Sequence, residues 1–217
     1  MEKRVLIVIV CVMAVATPAF ANLLVNGSFE IGSDPGPHTP GDWGVGNTSL
    51  TGWTVTADNI NYFGAYCSPH ADGSRSIDLI GHQKGAIAQT FTTEPETIYS
   101  VTFSLGGFDG GSTSTIRTLE VRAANQSQEY SFDSLGYYRE GGMGWRDCAW
   151  AFTAIDTSTV LEFAAIQAGD DNGPFLDNVV VTPEPATLLL LGLGAVILRK
   201  RKQCRKSGGH HTGEKGL

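Results

Sequence analysis

The sequence predicts an all-β body folded as an antiparallel two-sheet β-sandwich. Three observations lead there. Helical periodicity is absent from the central region, short apolar stretches alternate with polar residues, and clusters of Gly, Asn, Asp and Ser separate those stretches. The chain has 217 residues, 27 of them glycine, which is room for one domain flanked by targeting segments.

In chain order, Asn22–Val25 and Ser28–Glu30 flank an Asn26-Gly27 turn. Asp34–Thr48 is so rich in Gly and Pro that it reads as a loop. Trp53–Val55 and Ile60–Phe63 are short strands, and Ser76–Leu79 follows the Asp72-Gly73 turn. Ala86–Thr92 sets Ile87, Gln89 and Phe91 against Ala88, Thr90 and Thr92. The clearest strand is Ile98–Gly106, with Val101, Phe103 and Leu105 on one face and Thr102 and Ser104 on the other, the period of a half-buried antiparallel strand. After an Asp109–Ser114 loop, Ile116, Leu119 and Val121 mark the next strand, and Tyr130 and Phe132 another. Leu135–Gly144 is a loop. Trp145–Thr153, Thr159–Gln167 and Phe175–Val181 complete the set. A body that begins and ends on strands suits a jelly roll with adjacent termini.

The two ends read differently. Met1–Ala21 has Lys3 and Arg4, an apolar run Val5–Ala16 and the small-residue site Ala19-Phe20-Ala21, the pattern of a secretory signal peptide. The sandwich domain is then expected over 22–182. Pro183 and Pro185 are expected to end it, because proline cannot continue a central strand. A transmembrane helix is expected over 186–198. At 13 residues the run is short against the roughly 17–25 a bilayer needs, with snorkelling of Arg199 and Lys200 extending it. The cluster Arg199–Lys202 would stay cytoplasmic and leave the body on the far side, and 203–217 reads as a basic, disordered cytoplasmic tail.

Between Asn22 and Thr182 there are 19 acidic and 6 basic side chains, against a whole-chain net charge of −7. So acidic a body repels phosphate backbones and argues against nucleic acid as a partner. Of the four cysteines, Cys11 leaves with the leader and Cys204 lies in the tail. Cys67 and Cys148 remain, either as one disulfide in an oxidising compartment or as two separate buried thiols. A bridge closing so long a loop would add up to about 4–5 kcal/mol in the chain-entropy account.

Pro183-Glu184-Pro185, the Leu/Gly-rich run and the terminal Arg/Lys cluster together resemble the PEP-CTERM sorting signal of Gram-negative bacteria. That resemblance implies an exosortase partner, inner-membrane anchorage facing the periplasm, cleavage near Pro183-Glu184-Pro185, and passage to the cell surface or extracellular matrix. The run-on to Leu217 departs from the pattern, in which the chain stops soon after the basic cluster. A plain membrane anchor that is never processed is the alternative.

A second resemblance covers nearly all of 22–182. It rests on Asn22–Glu30, Gly52-Trp53-Thr54-Val55, Asp72–Leu79, Gln89-Thr90-Phe91 and Leu176-Asp177-Asn178-Val179, in that order. The series is similar to the choice-of-anchor C family, galactose-binding-like jelly rolls related to a plant cell-wall domain of unknown function. It implies a β-sandwich, an exported protein and a polysaccharide ligand. In related jelly rolls a calcium ion ties the first strand to the last. The matching positions are Glu30 and Asp177, whose carboxylates are either calcium ligands or hydrogen-bond acceptors for turn backbone.

Sugar rings stack on aromatic planes. Aromatics in loops are better placed for this than those in alternating strands, and the binding candidates are Tyr62, Phe63 and Tyr66, clustered before Cys67, and Tyr137-Tyr138 in the Gly-rich loop; the alternative is a rim that covers the sandwich edge. Trp53, Trp145, Trp150 and Phe103 read as core. No nucleophile-elbow, zinc-helix or phosphate-loop pattern is present, His38, His70 and His82 lack metal spacing, and Glu94 and Glu96 flank Pro95 in one short turn. The expectation is an exported, membrane-tethered, non-catalytic module for surface or extracellular polysaccharide. A purely structural matrix protein is the near rival and a polysaccharide-active enzyme the distant one.

Overall fold

A computed structural model describes residues 21–36, 41–64, 69–111, 114–138, 142–166 and 172–184. They form one compact unit, Ala21–Glu184. Its strands are β1 (Gly41–Gly44), β2 (Thr54–Ala57), β3 (Asn59–Phe63), β4 (Ser76–Asp78), β5 (Ala86–Thr92), β6 (Ile98–Gly107), β7 (Ile116–Ala123), β8 (Gln126–Asp133), β9 (Gly144–Thr153), β10 (Ser158–Ala165) and β11 (Phe175–Pro183). One sheet has the order β1-β3-β4-β11-β6-β9 and the other β2-β5-β10-β7-β8, with every pairing antiparallel. This is the two-sheet sandwich the alternation calls for.

The core lies between the sheets. In β7, Arg117, Leu119, Val121 and Ala123 are buried, while Thr118, Glu120 and Arg122 are not. In β10, Thr159, Leu161 and Phe163 alternate with Ser158, Val160 and Glu162 in the same way. Phe163 bridges the layers, 5.1 Å from Phe103 and 6.4 Å from Trp53, ring centre to ring centre. Each such side chain removed from water stabilises the fold by about 1.5–3 kcal/mol. A smaller apolar cluster of Phe63, Phe108, Met143 and Phe175, with Trp145 packed on it, closes one end of the sandwich.

Three regions differ from the sequence expectation. Residues 21–30 supply no regular strand, because Asn26 and Phe29 take positive φ values of 56° and 60°. The segment is instead stitched to β11. Leu23 donates to the Val181 carbonyl, Asn22 Nδ2 donates to Val179 O, and Val179 N–H donates to Gly27 O. The Gln89 side chain pairs with both backbone groups of Val25. Secondly, the Gly/Pro-rich stretch contains β1, paired with β3 and carrying Trp43 against Tyr62 at 4.6 Å.

Thirdly, β11 runs through Pro183, which sits opposite Tyr99, and Glu184 N–H donates to Ile98 O at 2.8 Å. Val181 turns its N–H and C=O away from β6, toward Asn22 and Leu23. Pro183, two residues on, presents its ring nitrogen on that same side, so the ladder with β6 loses no donor.

The expected transmembrane helix is corrected. Among the described residues there is no helix of any kind, and none long and apolar enough to cross a membrane. Residues 186–198 lie outside the described residues. At about 1.5 Å per residue, thirteen residues span about 20 Å of a hydrocarbon core about 30 Å thick. The membrane partner and the inner-membrane location that depended on this helix are withdrawn with it.

Gly27 is the tightest point of the N-terminal stitch, because a Cβ there would overlap the Val179 carbonyl oxygen. Gly27→Ala is expected to lower unfolding free energy by roughly 2–3 kcal/mol in urea titration. Gly46→Ala strains a positive φ but meets no atom within 4 Å, and should cost about 1 kcal/mol.

Candidate functional site

The β3–β4, β6–β7, β8–β9 and β10–β11 connections all emerge at the end of the sandwich closed by the smaller apolar cluster. They are tied to one another. Trp145 Nε1 donates to Pro69 O at 2.8 Å, Asp109 N–H donates to Tyr137 O, and Gly173 N–H donates to the buried Asp78 carboxyl at 3.0 Å. Gly110 lies against the Asn172 side chain.

On this end stand Tyr137 and Tyr138, 42% and 59% exposed. Tyr137 leans on Phe132, ring centres 5.6 Å apart, and both rings lie where a side chain on Gly144 would be, so that glycine makes the seat for the tyrosine. Tyr138 accepts from Gly142 N–H through its carbonyl in a tight turn. Half-buried Asp109 and Asn172 supply polar groups on the neighbouring loops.

The other aromatic candidates separate. Tyr62 is fully buried, with its hydroxyl donating to Phe29 O and Arg75 lying over its ring at 5.4 Å. Burial pushes its phenol pKa up. Phe63 is buried in the end cluster, and Tyr66 lies outside the described residues. Neither Tyr62 nor Phe63 offers a ring face to solvent. Trp145, assigned to the core from sequence, is only half-buried and reaches the loop end. Its place in an alternating strand concealed that.

Glu30 and Asp177 do converge on one loop, as acceptors. Glu30 Oε1 accepts from Ser74 and Arg75 N–H, and Oε2 accepts from the Ser74 hydroxyl. Asp177 Oδ2 accepts from Ala71 and Asp72 N–H, and Oδ1 accepts from Asn178 N–H. Burial pushes the Asp177 pKa up to about 7, outweighing the backbone donors that pull it down. Oxygens already aimed at N–H groups and at the Ser74 hydroxyl are the turn-backbone acceptors of the second alternative, with fewer lone pairs open to a calcium ion. Among the described residues no group of three or more His, Cys, Asp or Glu side chains is placed to hold a metal ion.

His70 is similarly occupied, between Ser76 Oγ and Gly64 O, and burial lowers its pKa. Cys148 is a free, buried thiol whose pKa burial raises, while Cys67 lies outside the described residues. Pro183 and Glu184 of the sorting motif belong to the strand end described above, and Pro185 lies outside the described residues.

A cavity of about 600 Å³ opens at the opposite end, lined by Arg122, Asn125, Gln126, Ile155, Asp156 and Glu162 among others. Arg122 is pinned there by Glu120 and Glu162, and Thr56 donates to Glu162. No aromatic residue lines it, so a sugar ring has nothing to stack on.

A family described as "Protein of unknown function (DUF642)" matches residues 22–182, and the chain belongs to it. The PEP-CTERM protein-sorting motif matches residues 181–202. Halomucin of Haloquadratum walsbyi is 30% identical over 164 residues, covering 74% of this chain and 2% of that protein. The Arabidopsis thaliana protein DUF642 L-galactono-1,4-lactone-responsive gene 1 is 26% identical over 182 residues, covering 78% of this chain and 49% of that protein. The chain thus spans about half the length of one relative and a small fraction of the other.

Among solved structures, TmCBM61 in complex with beta-1,4-galactotriose has a TM-score of 0.47 at 14% identity, covering 76% of this chain and 100% of that one. A family 35 carbohydrate binding module from Clostridium thermocellum has a TM-score of 0.44 at 15% identity, covering 66% and 99%. Likenesses this distant do not bear on a ligand.

Two outcomes follow from the carboxyl geometry. Adding EDTA should leave the melting temperature unchanged; a fall of several degrees would restore a metal to the site. Asp177 has a folded pKa of about 7, above its ordinary value. Its contribution to stability is therefore fully present below about pH 4 and lost as pH rises through about 7. The stability gap between wild type and Asp177→Asn should narrow across that window in melts recorded from pH 4 to pH 8.

Proposed function

We propose that this protein is an exported, non-catalytic module that binds surface or extracellular polysaccharide through its loop end and is sorted by an exosortase. The observation that carries the reading is the pair of exposed rings of Tyr137 and Tyr138, the first seated against Phe132, where four inter-strand connections converge. Exposed aromatic faces, on a loop end that also carries the half-buried Asp109 and Asn172, match a ligand whose C–H faces need stacking and whose hydroxyls need donors and acceptors. The acidic body favours a neutral or cation-bearing polymer over a polyanion. Sorting is supported by the matched motif at 181–202. The finer kinship with the choice-of-anchor C family is part of this reading and rests on the five motif stretches quoted from the sequence.

Stacking on one aromatic face contributes about 0.5–1.5 kcal/mol. Tyr137→Ala and Tyr138→Ala should each weaken polysaccharide binding roughly twofold to tenfold on a glycan array, and the double variant more. Tyr138→Ala should leave stability within about 0.5 kcal/mol of wild type, since the ring is exposed. Undiminished binding by the double variant would count against this end as the site.

A further inference from the structure

The sorting motif does not begin where the folded body stops. Pro183 is the last residue of β11, opposite Tyr99, and Glu184 N–H is bonded to Ile98 O. Ile98 is itself held from the other side, where β9 pairs it with Thr153. Val181, just upstream, is fully buried, with its N–H held by Asn22 Oδ1 and its carbonyl by Leu23 N–H. The first two residues of the motif are thus the final rungs of the six-stranded sheet.

An enzyme that cuts a peptide chain binds it extended, through the backbone N–H and C=O groups on both sides of the scissile bond. Those groups cannot pair with β6 and with an enzyme at once. Binding centred on Pro183 would have to peel β11 back past Val181, expose that side chain and break its links to Asn22 and Leu23.

Resting on the sorting reading above, we infer that the sandwich itself sets the upstream limit of processing. The scissile peptide bond lies C-terminal to Glu184, and the mature body keeps Pro183 and Glu184 as its last rungs. In that step one backbone C–N bond breaks. The acyl carbon passes to water in hydrolysis, or to an amine or hydroxyl of an acceptor in transfer. The departing basic segment leaves with a new amino terminus, which takes up the proton lost by the nucleophile. Every residue that forms the β11 ladder, Glu184 included, stays in the mature body.

The test is the intact mass and C-terminal peptide sequence of the mature protein, recovered from cells that express the full chain together with an exosortase system. The expected mature protein is cut at the Glu184–Pro185 bond or beyond it and retains Pro183 and Glu184. A mature chain ending at Thr182 or Pro183 would overturn the limit and leave sorting itself intact. A chain that keeps its tail to Leu217 would overturn both.

Discussion

Two carboxyl groups from opposite ends of the domain hold one loop by its backbone. Glu30 precedes the first strand, Asp177 lies in the last, and between them they accept from Ala71, Asp72, Ser74 and Arg75 N–H. The sequence separations are 44 to 45 residues on one side and 105 to 106 on the other. A loop with few apolar side chains has little burial to fix it. Each backbone bond contributes only about 0.5–1.5 kcal/mol, but several together close three distant segments at one point. Gly73 is part of the fit: its φ is positive, and any side chain there would run into Glu30.

The stretches that carry the family resemblance meet in this knot and its surroundings. Asn22, Gly27 and Val179 are cross-bonded, Trp53 Nε1 donates to Asn26 O, Gln89 pairs with Val25, and the Tyr62 hydroxyl donates to Phe29 O. The recognisable residues are therefore scaffold. The proposed binding residues Tyr137 and Tyr138, with Asp109 and Asn172 on neighbouring loops, belong to none of those motifs. A family can keep this knot while its loops, and with them its ligands, change.

That division explains what could be read in advance. Strands whose side chains alternate were legible: Ala86–Thr92 coincides with β5, and Ile98–Gly106 falls one residue short of β6. β1 was hidden because its stability comes from pairing with β3 and from Trp43 against Tyr62, not from its own composition. The same partner buries Tyr62, which sequence alone could not tell from an exposed loop aromatic. Pro183 was misjudged because a missing N–H matters only on the side where a partner needs it, and that side is fixed by register. The exposure of Tyr137 and Tyr138 was legible because the Gly-rich segment around them has no apolar alternation to bury them. β11, nine residues and about 30 Å long, then carries the chain from that loop end to the opposite end, where the sorting motif begins.

Amide hydrogen exchange at Ala71, Asp72, Ser74 and Arg75 reports on this knot residue by residue. These amides sit in a loop with no strand partner, yet the two carboxyl groups should protect them nearly as well as the amides of β6 and β11, close to the level of global unfolding. Exchange at the rate of an open loop would mean that Glu30 and Asp177 do not hold it, and the knot would not be what ties the first segment, the last strand and the 71–75 loop together.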